Sequence, residues 1–375
     1  MWRQGKGILL RSKRGMGLVG AFVVGGLVLS MASCSSAPKK NSPSTTGASA
    51  TAAAGKKISA CMVTDTGGID DKSFNAAAWA GLQAAQKANP NVVPKYVAST
   101  TAADYAPNLT NFATQKCDLI VAVGGLMGAD TDKVAKANPT ESFAIVDYKS
   151  AEPNVYSMQF DTAQAGFLAG YLAAGVSKTG KVGTYGGLKI PSVTIFMDGF
   201  ADGVAQYNKV HSKSVTVLGW DKATQNGLFA NSFTDQAKGK SLASTLNSQG
   251  ADIIMPVAGG TGLGTAAAAQ ASNGKFKVIW VDQDGCVSAA QYCNIFLSTV
   301  QKNISDAVKA TALNASAGTL AGGGSIGTLA NNGVQLAPYH QLDGSVPAAL
   351  KTEIDQLKAD IISGKITVTS PASPK

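Results

Sequence analysis

From Ile58 onward, short apolar runs alternate with stretches whose apolar residues recur every three or four positions. That is the pattern of strands and amphipathic helices in turn. ISACMVT (58–64) reads as a strand, and Asp71–Lys87 as the helix after it, with Trp79 and Leu82 on its core face. NVVPKYVA, DLIVAVG, SFAIVD and NVYSMQF follow as strands, with helices near Tyr105–Gln115 and Asp130–Ala137 between them. DLIVAVG is apolar almost throughout, as expected of a strand covered on both faces. The alternation restarts beyond Ala163. Gly166–Ala174 is helical, KVGTYGG a strand, 192–208 a helix, SVTVLGW a strand and 237–250 a helix. ADIIMPVA, then the helix GTAAAAQAS, then the strand KFKVIWVD continue it. NIFLSTV near 295 is placed to cross back, and helices around 301–316 and 346–362 complete the chain.

Strands alternating with helices predict parallel sheets covered on both faces, and two rounds of alternation predict two such lobes. The expected division is residues 58–162 with about 300–335 in one lobe, and 163–299 with about 336–375 in the other. A short hinge near Phe160–Gln164 joins them. Ligands of open α/β sheets bind outside the carboxyl ends of the strands. The residues just after each strand are therefore the candidates for chemistry.

After the first strand come Asp65, Gly67, Gly68, Asp70, Asp71, Phe74 and Asn75. The glycines permit a tight loop and an aspartate suits the helix start. A cleft-facing Phe74 offers a stacking plate, and Asn75 both a donor and an acceptor; the bland alternative is a core phenylalanine and a solvated asparagine. Asp130 opens a helix, and Asp147 ends an apolar strand. Such a carboxylate is costly unless paired, hydrated or liganded, or used as a simple cap. The loop Gly259-Gly260-Thr261-Gly262-Leu263-Gly264 opens a helix whose amides suit an oxygen-rich group. Asp282 ends the next strand, near the ~20-residue spacing at which a dinucleotide fingerprint places its ribose-binding acid. The fingerprint is incomplete, because Thr265 stands where its third glycine belongs. Lys302, after the strand NIFLSTV, is placed to add a donor to the same hydroxyls.

Composition narrows the classes. Hydrophobic residues are 45% and charged residues 15% of the chain, which excludes wholesale disorder. The net charge of +9 is uneven: Arg3, Lys6, Arg11, Lys13 and Arg14 supply five charges, so residues 34–375 carry only +4. That mild balance argues against a nucleic-acid partner. The basic start, the uncharged run Leu18–Met31 and the small residues Ala32 and Ser33 before Cys34 follow the grammar of an export signal, 1–33. The apolar run is shorter than the ~20 residues that span a bilayer, although an uncleaved anchor is the alternative. Small residues before a cysteine resemble a bacterial lipobox, in which Cys34 becomes the lipidated N-terminus. Residues 34–57, rich in Ser, Thr, Ala and Pro, read as a flexible tether. The body is therefore expected on the extracytoplasmic face of the cell membrane.

Of the five cysteines, Cys61, Cys117, Cys286 and Cys293 remain in the body. An even number in an oxidising compartment suggests two disulfides with three connectivities to choose from. The short separation favours Cys286 with Cys293, leaving Cys61 with Cys117. Only two histidines occur, His211 and His340, both in surface-like contexts, and no zinc-ligand spacing is present. The motifs of a serine hydrolase, a P-loop and a zincin are all absent from the sequence. No catalytic residue, metal or cofactor is expected.

The blocks DTGGIDDKSFNAAAWAGL (65–82), DLIVAVGGLMGAD (118–130), GFLAGYLAA (166–174), SKTGKVG (177–183), AKGKSLA (237–243) and QGADIIMPVAGGTGLG (249–264) together resemble the basic membrane lipoprotein family. Its best-understood branch is the purine nucleoside receptor lipoprotein of bacterial ABC importers. The resemblance implies a type I periplasmic-binding-protein fold, two doubly wound parallel-sheet lobes joined by a hinge, with ligand between them. It implies that Asp65 and Asn75 meet the base and that Phe74 stacks on it. An acid from the first lobe also contacts the base, a role that Asp147 fits better than Asp130, and Gly260, Asp282 and Lys302 hold the ribose. The chain departs from the family at Met255, where an aromatic usually forms the second stacking plate; a thioether also packs on a ring. It departs again at Gly125, where relatives often carry an aromatic. The implied partners are a nucleoside, an ABC permease with its ATPase, and the membrane through Cys34, with the protein itself monomeric. A sugar receptor of the same fold is the near alternative. A dinucleotide-dependent enzyme and a structural surface lipoprotein are the distant ones.

Overall fold

The computed structural model describes residues 55–375. The export signal, Cys34 and nearly all of the tether lie outside the described residues.

Strands β1 (Ile58–Thr64), β2 (Val92–Ala98), β3 (Leu119–Val123), β4 (Ser142–Val146) and β5 (Val155–Phe160) alternate with helices α1 (Phe74–Ala88), α2 (Tyr105–Thr114) and α3 (Gly128–Ala137), up to the β4–β5 connection, which has none. After α4 (Thr162–Val176) come β6 (Lys181–Gly186), α5 (Pro191–His211), β7 (Thr216–Leu218) and a small hairpin of β8 (Trp220–Asp221) and β9 (Asn226–Gly227). Then follow α6 (Gln236–Ser248), β10 (Ile253–Val257), α7 (Gly262–Ala271), β11 (Lys277–Asp282), α8 (Gly285–Ser288) and β12 (Phe296–Lys302). The chain ends through α9 (Ile304–Ala317), β13 (Gly323–Gly327), β14 (Val334–Leu336) and α10 (Ala348–Ile362).

The strands form two six-stranded sheets, ordered β13-β5-β4-β3-β1-β2 and β14-β12-β11-β10-β6-β7. The first is parallel throughout, and the second is parallel except for β14. Both have the doubly wound order, reversing direction at β1/β3 and at β6/β10. The central strands β3 and β10 are buried along their whole length, which explains their unbroken apolar runs. β2 carries Pro94 because it lies at an edge, where a missing N–H breaks no ladder. One outer core, including Tyr105, Leu109, Phe112 and Ile120, covers the first sheet. Another, including Tyr185, Leu246, Trp280 and Phe296, covers the second. A third and larger cluster joins the opposite faces to α4 and α5.

The chain passes between the sheets three times: from β5 into α4, from β12 into α9, and from β13 to β14. α9 packs on α1, and α10 on α4. Disulfides join Cys61 to Cys117 and Cys286 to Cys293. The first clamps β1 to the entry of β3. Three expectations need correction. α1 begins at Phe74, not Asp71, and Trp79 is only partly buried, lying edge-on to Tyr96 with ring centres 4.9 Å apart. His211 is not simply solvated: its Nε2 lies 2.9 Å from Glu353 and 3.1 Å from the Tyr171 hydroxyl. No helix among the described residues is long and apolar enough to cross a membrane.

Candidate functional site

The carboxyl ends of the two sheets face one another across a narrow cavity of about 50 Å³. The first lobe contributes Asp65, Gly67, Asp71, Phe74, Asn75, Gly124, Gly125, Leu126 and Asp147. The second contributes the start of α5, Phe233, the segment Val257–Gly259, the end of β11, and Lys302.

The loop between β1 and α1 is organised by Asp71. Its carboxylate accepts the amides of Ser73 at 3.0 Å, Asn75 at 2.8 Å and Ala76 at 3.0 Å. Three of the orphan N–H groups around the helix start are satisfied by one residue. This starts the helix at Phe74 and presents Phe74 and Asn75 to the cavity from its first turn. Asn75 Nδ2 donates to Asp65 Oδ1 at 2.6 Å and to Asp71 Oδ2 at 3.3 Å. Both neighbours are acceptors, so the amide has one orientation that fits. Its Oδ1 is then left buried with no hydrogen-bond partner among the described residues. A buried acceptor without a donor costs about 1–3 kcal/mol, which a ligand N–H or O–H would relieve.

Asp147 and Asp282 stand at matching places, each at the carboxyl end of the strand one beyond the central strand of its sheet. Both are in the left-handed region, with φ of 64° and 66°. Aspartate tolerates that region better than most residues, and such strain concentrates at functional sites. Lys302, at the end of β12, reaches Asp147 at 2.6 Å and stands 3.9 Å from Asp282. Its ammonium also lies 4.8 Å from the centre of the Phe74 ring and 5.4 Å from that of Phe196. Burial pushes the Asp65 and Asp282 carboxyls above the usual range, against the hydrogen bond from Asn75 and the charge of Lys302 respectively. Burial likewise raises Asp71, to about 7. Four carboxyl groups, three of them with raised pKa, line the cavity with one ammonium. This surface suits a ligand rich in hydroxyl and N–H donors and repels phosphate.

The cavity brings together Asp65, Phe74, Asn75, Asp147, Asp282 and Lys302. Three expected residues lie elsewhere. Met255 is fully buried in the middle of β10, and Val257, two residues on and at the strand's end, takes the cavity position. Asp130 is outside the lining, in the first turn of α3, where a negative charge suits the helix dipole. Gly260 is buried behind Gly259 and faces Asp71 across the cleft. The sequence reading missed Ile190, Ser192, Val193, Phe196 and Phe233, which form the second lobe's wall. Phe233 is held from behind, its carbonyl accepting the Thr261 amide at 3.0 Å. A turn after β10 thereby fixes an aromatic plate that its own neighbours in sequence do not announce.

Residues 58–370 match the family model described as ABC transporter substrate-binding protein PnrA-like. The chain is 32% identical over 330 residues to the ABC transporter nucleoside-binding protein BmpA of Lactococcus lactis, covering 84% of this chain and 89% of that one. It is 34% identical over 332 residues to a CD4+ T-cell-stimulating antigen of Listeria monocytogenes, covering 84% and 88%. Among solved structures, an ABC transporter solute-binding protein from Aeropyrum pernix superposes with a TM-score of 0.75 at 25% identity, covering 84% of this chain and 94% of that one.

Proposed function

The chain belongs to the family of PnrA-like ABC transporter substrate-binding proteins, and from that premise we propose that it captures a nucleoside, a purine nucleoside above all, and hands it to an ABC permease. The observation that carries the reading is Asn75 Oδ1, a buried acceptor with no donor among the described residues, beside the Asp65 carboxyl and the Phe74 ring. A base edge bearing N–H groups satisfies that acceptor while its face stacks on Phe74. At the other end of the cavity Asp282 and Asp147 accept sugar hydroxyls, and Lys302 both donates to them and balances their charge. Phe196 and Phe233 close over the ligand from the second lobe. The excess of carboxyl groups selects the neutral nucleoside over its phosphate esters.

Residues 58–161 with about 304–330, and 162–303 with about 334–375, act as the two moving bodies, the crossovers lying a few residues from the boundaries expected from sequence. Closure about the three crossovers is stabilised by ligand contacts made to both at once. Cys34 bears the lipid that holds the receptor, as a monomer, at the outer face of the membrane near its permease.

The test is thermal unfolding of residues 55–375 with inosine, guanosine, adenosine, ribose, free bases and nucleotides. A ligand at ~100 times its dissociation constant adds about 2.7 kcal/mol of stability. A purine nucleoside is expected to raise the melting temperature where ribose and the monophosphates do not. A shift with sugars alone, or with no nucleoside, overturns the proposal.

A further inference from the structure

Ser73 occupies the N-cap of α1, where serine ordinarily spends its side chain on the helix's own amides. Here it makes no such bond. Asp71 has taken the amides of Ser73, Asn75 and Ala76, so the Ser73 hydroxyl is free. It points across the cleft, donating to Asp282 Oδ2 at 2.5 Å, with the Val281 carbonyl at 3.3 Å. A hydroxyl has one proton, and both distance and charge direct it to the carboxylate. A second bond runs alongside, from Trp280 Nε1 to the Lys72 carbonyl at 3.2 Å. Ser73 and Trp280 are fully buried. These bonds link the loop before α1, in the first lobe, to the end of β11, in the second. They exist only when the lobes are together.

We propose that Ser73 is an interlobe latch: a positioning residue whose hydroxyl orients the Asp282 carboxylate when the lobes close, so that the ligand is gripped by Asp282 only in the closed arrangement. The assignment of Asp282 to the ligand rests on the nucleoside reading, whereas the latch itself rests on the contacts between lobes. Asp282 holds a left-handed φ and a desolvated carboxyl, so a fixed donor is needed to give it one orientation. The hydroxyl leaves the other oxygen, Oδ1, toward Lys302. Division of labour between Asp71 and Ser73 explains why two residues with capping chemistry stand so close together at one helix start.

The experiment has two arms. In the first, Ser73→Ala is made in the full chain with and without Asp282→Ala, and thermal unfolding is followed without ligand. The latch predicts that Ser73→Ala lowers the melting temperature by about 2–4 °C, as for loss of ~1 kcal/mol, and that Asp282→Ala removes at least half of that drop. Equal drops in both backgrounds overturn the latch whatever the ligand is. Ser73→Gly separates the latch from helix capping. Glycine serves at an N-cap nearly as well as serine, so an ordinary cap would be largely restored. A latch predicts that Gly is as poor as Ala, and recovery by Gly overturns it. In the second arm inosine dissociation is timed. Ser73→Ala is expected to release it roughly ten- to a hundredfold faster, the effect of losing a hydrogen bond to a charged group, with the association rate unchanged. An unchanged release rate overturns the coupling to ligand. Failure of the wild-type protein to bind inosine, with non-additivity intact in the first arm, sinks the inosine reading and leaves the latch standing.

Discussion

With Asp147 at 2.6 Å and Asp282 at 3.9 Å, Lys302 is the one ammonium among the cavity's lining residues, and it is buried with them. Removing it leaves Asp147 buried without its counter-charge, a change that costs about 3–5 kcal/mol in comparable pairs. Lys302→Met, which keeps the stem's packing, is therefore expected to lower unfolding free energy by about that amount in urea titrations, and to abolish ligand binding. The raised carboxyls make a second prediction, with opposite signs for stability and affinity. Asp65 and Asp282 hold their protons to higher pH in the folded protein than in the unfolded chain. Unliganded stability therefore falls as pH rises from the ordinary carboxylate range through their raised values. Affinity for a hydroxyl or N–H donor rises over the same window, because only the ionised groups are pure acceptors. Melting curves and titrations across pH 4–8 should diverge in this way; parallel trends would contradict the assignment. Asp147 and Asp282 were legible in sequence because each ends an apolar run at a place where a carboxylate needs a reason. Phe196 was not, since it sits in a helix apolar on most sides and reads as core. Phe233 was not, since it stands alone among Asn231, Ser232, Thr234 and Asp235.

The wall carrying Ile190, Val193 and Phe196 depends on how α5 sits against α4. Their contact is made through glycine. A Cβ on Gly203 would overlap the carbonyl oxygen of Phe167, and one on Gly170 that of Phe200. The backbones touch, so neither helix can take a methyl there without moving. Gly203→Ala is expected to destabilise the protein by about 1–3 kcal/mol or more despite the better helix propensity of alanine. A neutral or stabilising result in denaturant titrations would show that the helices separate readily. At this scale the strands and helices through β12, apart from the small β8–β9 hairpin and the single-turn α8, were readable from periodicity, because buried parallel strands leave unbroken apolar runs. β13 was not. Its sequence, Gly323–Gly327, is mostly glycine and has no apolar face to reveal it. Its place comes from pairing with β5, a long-range contact that local pattern does not encode.

Two sheets of like order, facing each other carboxyl end to carboxyl end and crossed by three connections, make a molecule in which the ligand completes the interface. Each lobe is folded around its own outer core. The cavity surface is different in kind: four carboxyl groups, one ammonium, one amide oxygen unpartnered among the described residues, and aromatic rings from both sides. That a cavity would lie at the strand ends followed from alternation alone, and membership of the family followed from a few residue blocks. The direction of the Ser73 hydroxyl, and the retreat of Met255 into the core, depend on packing that only the folded chain supplies. The most direct measurement is a calorimetric titration of residues 55–375 with guanosine or inosine against the matching 5′-monophosphate. The account predicts one site per chain for the nucleoside at micromolar dissociation constant or tighter (about 8 kcal/mol or more), and at least a hundredfold weaker binding of the monophosphate. Equal affinity for both, or heat from neither, would contradict it.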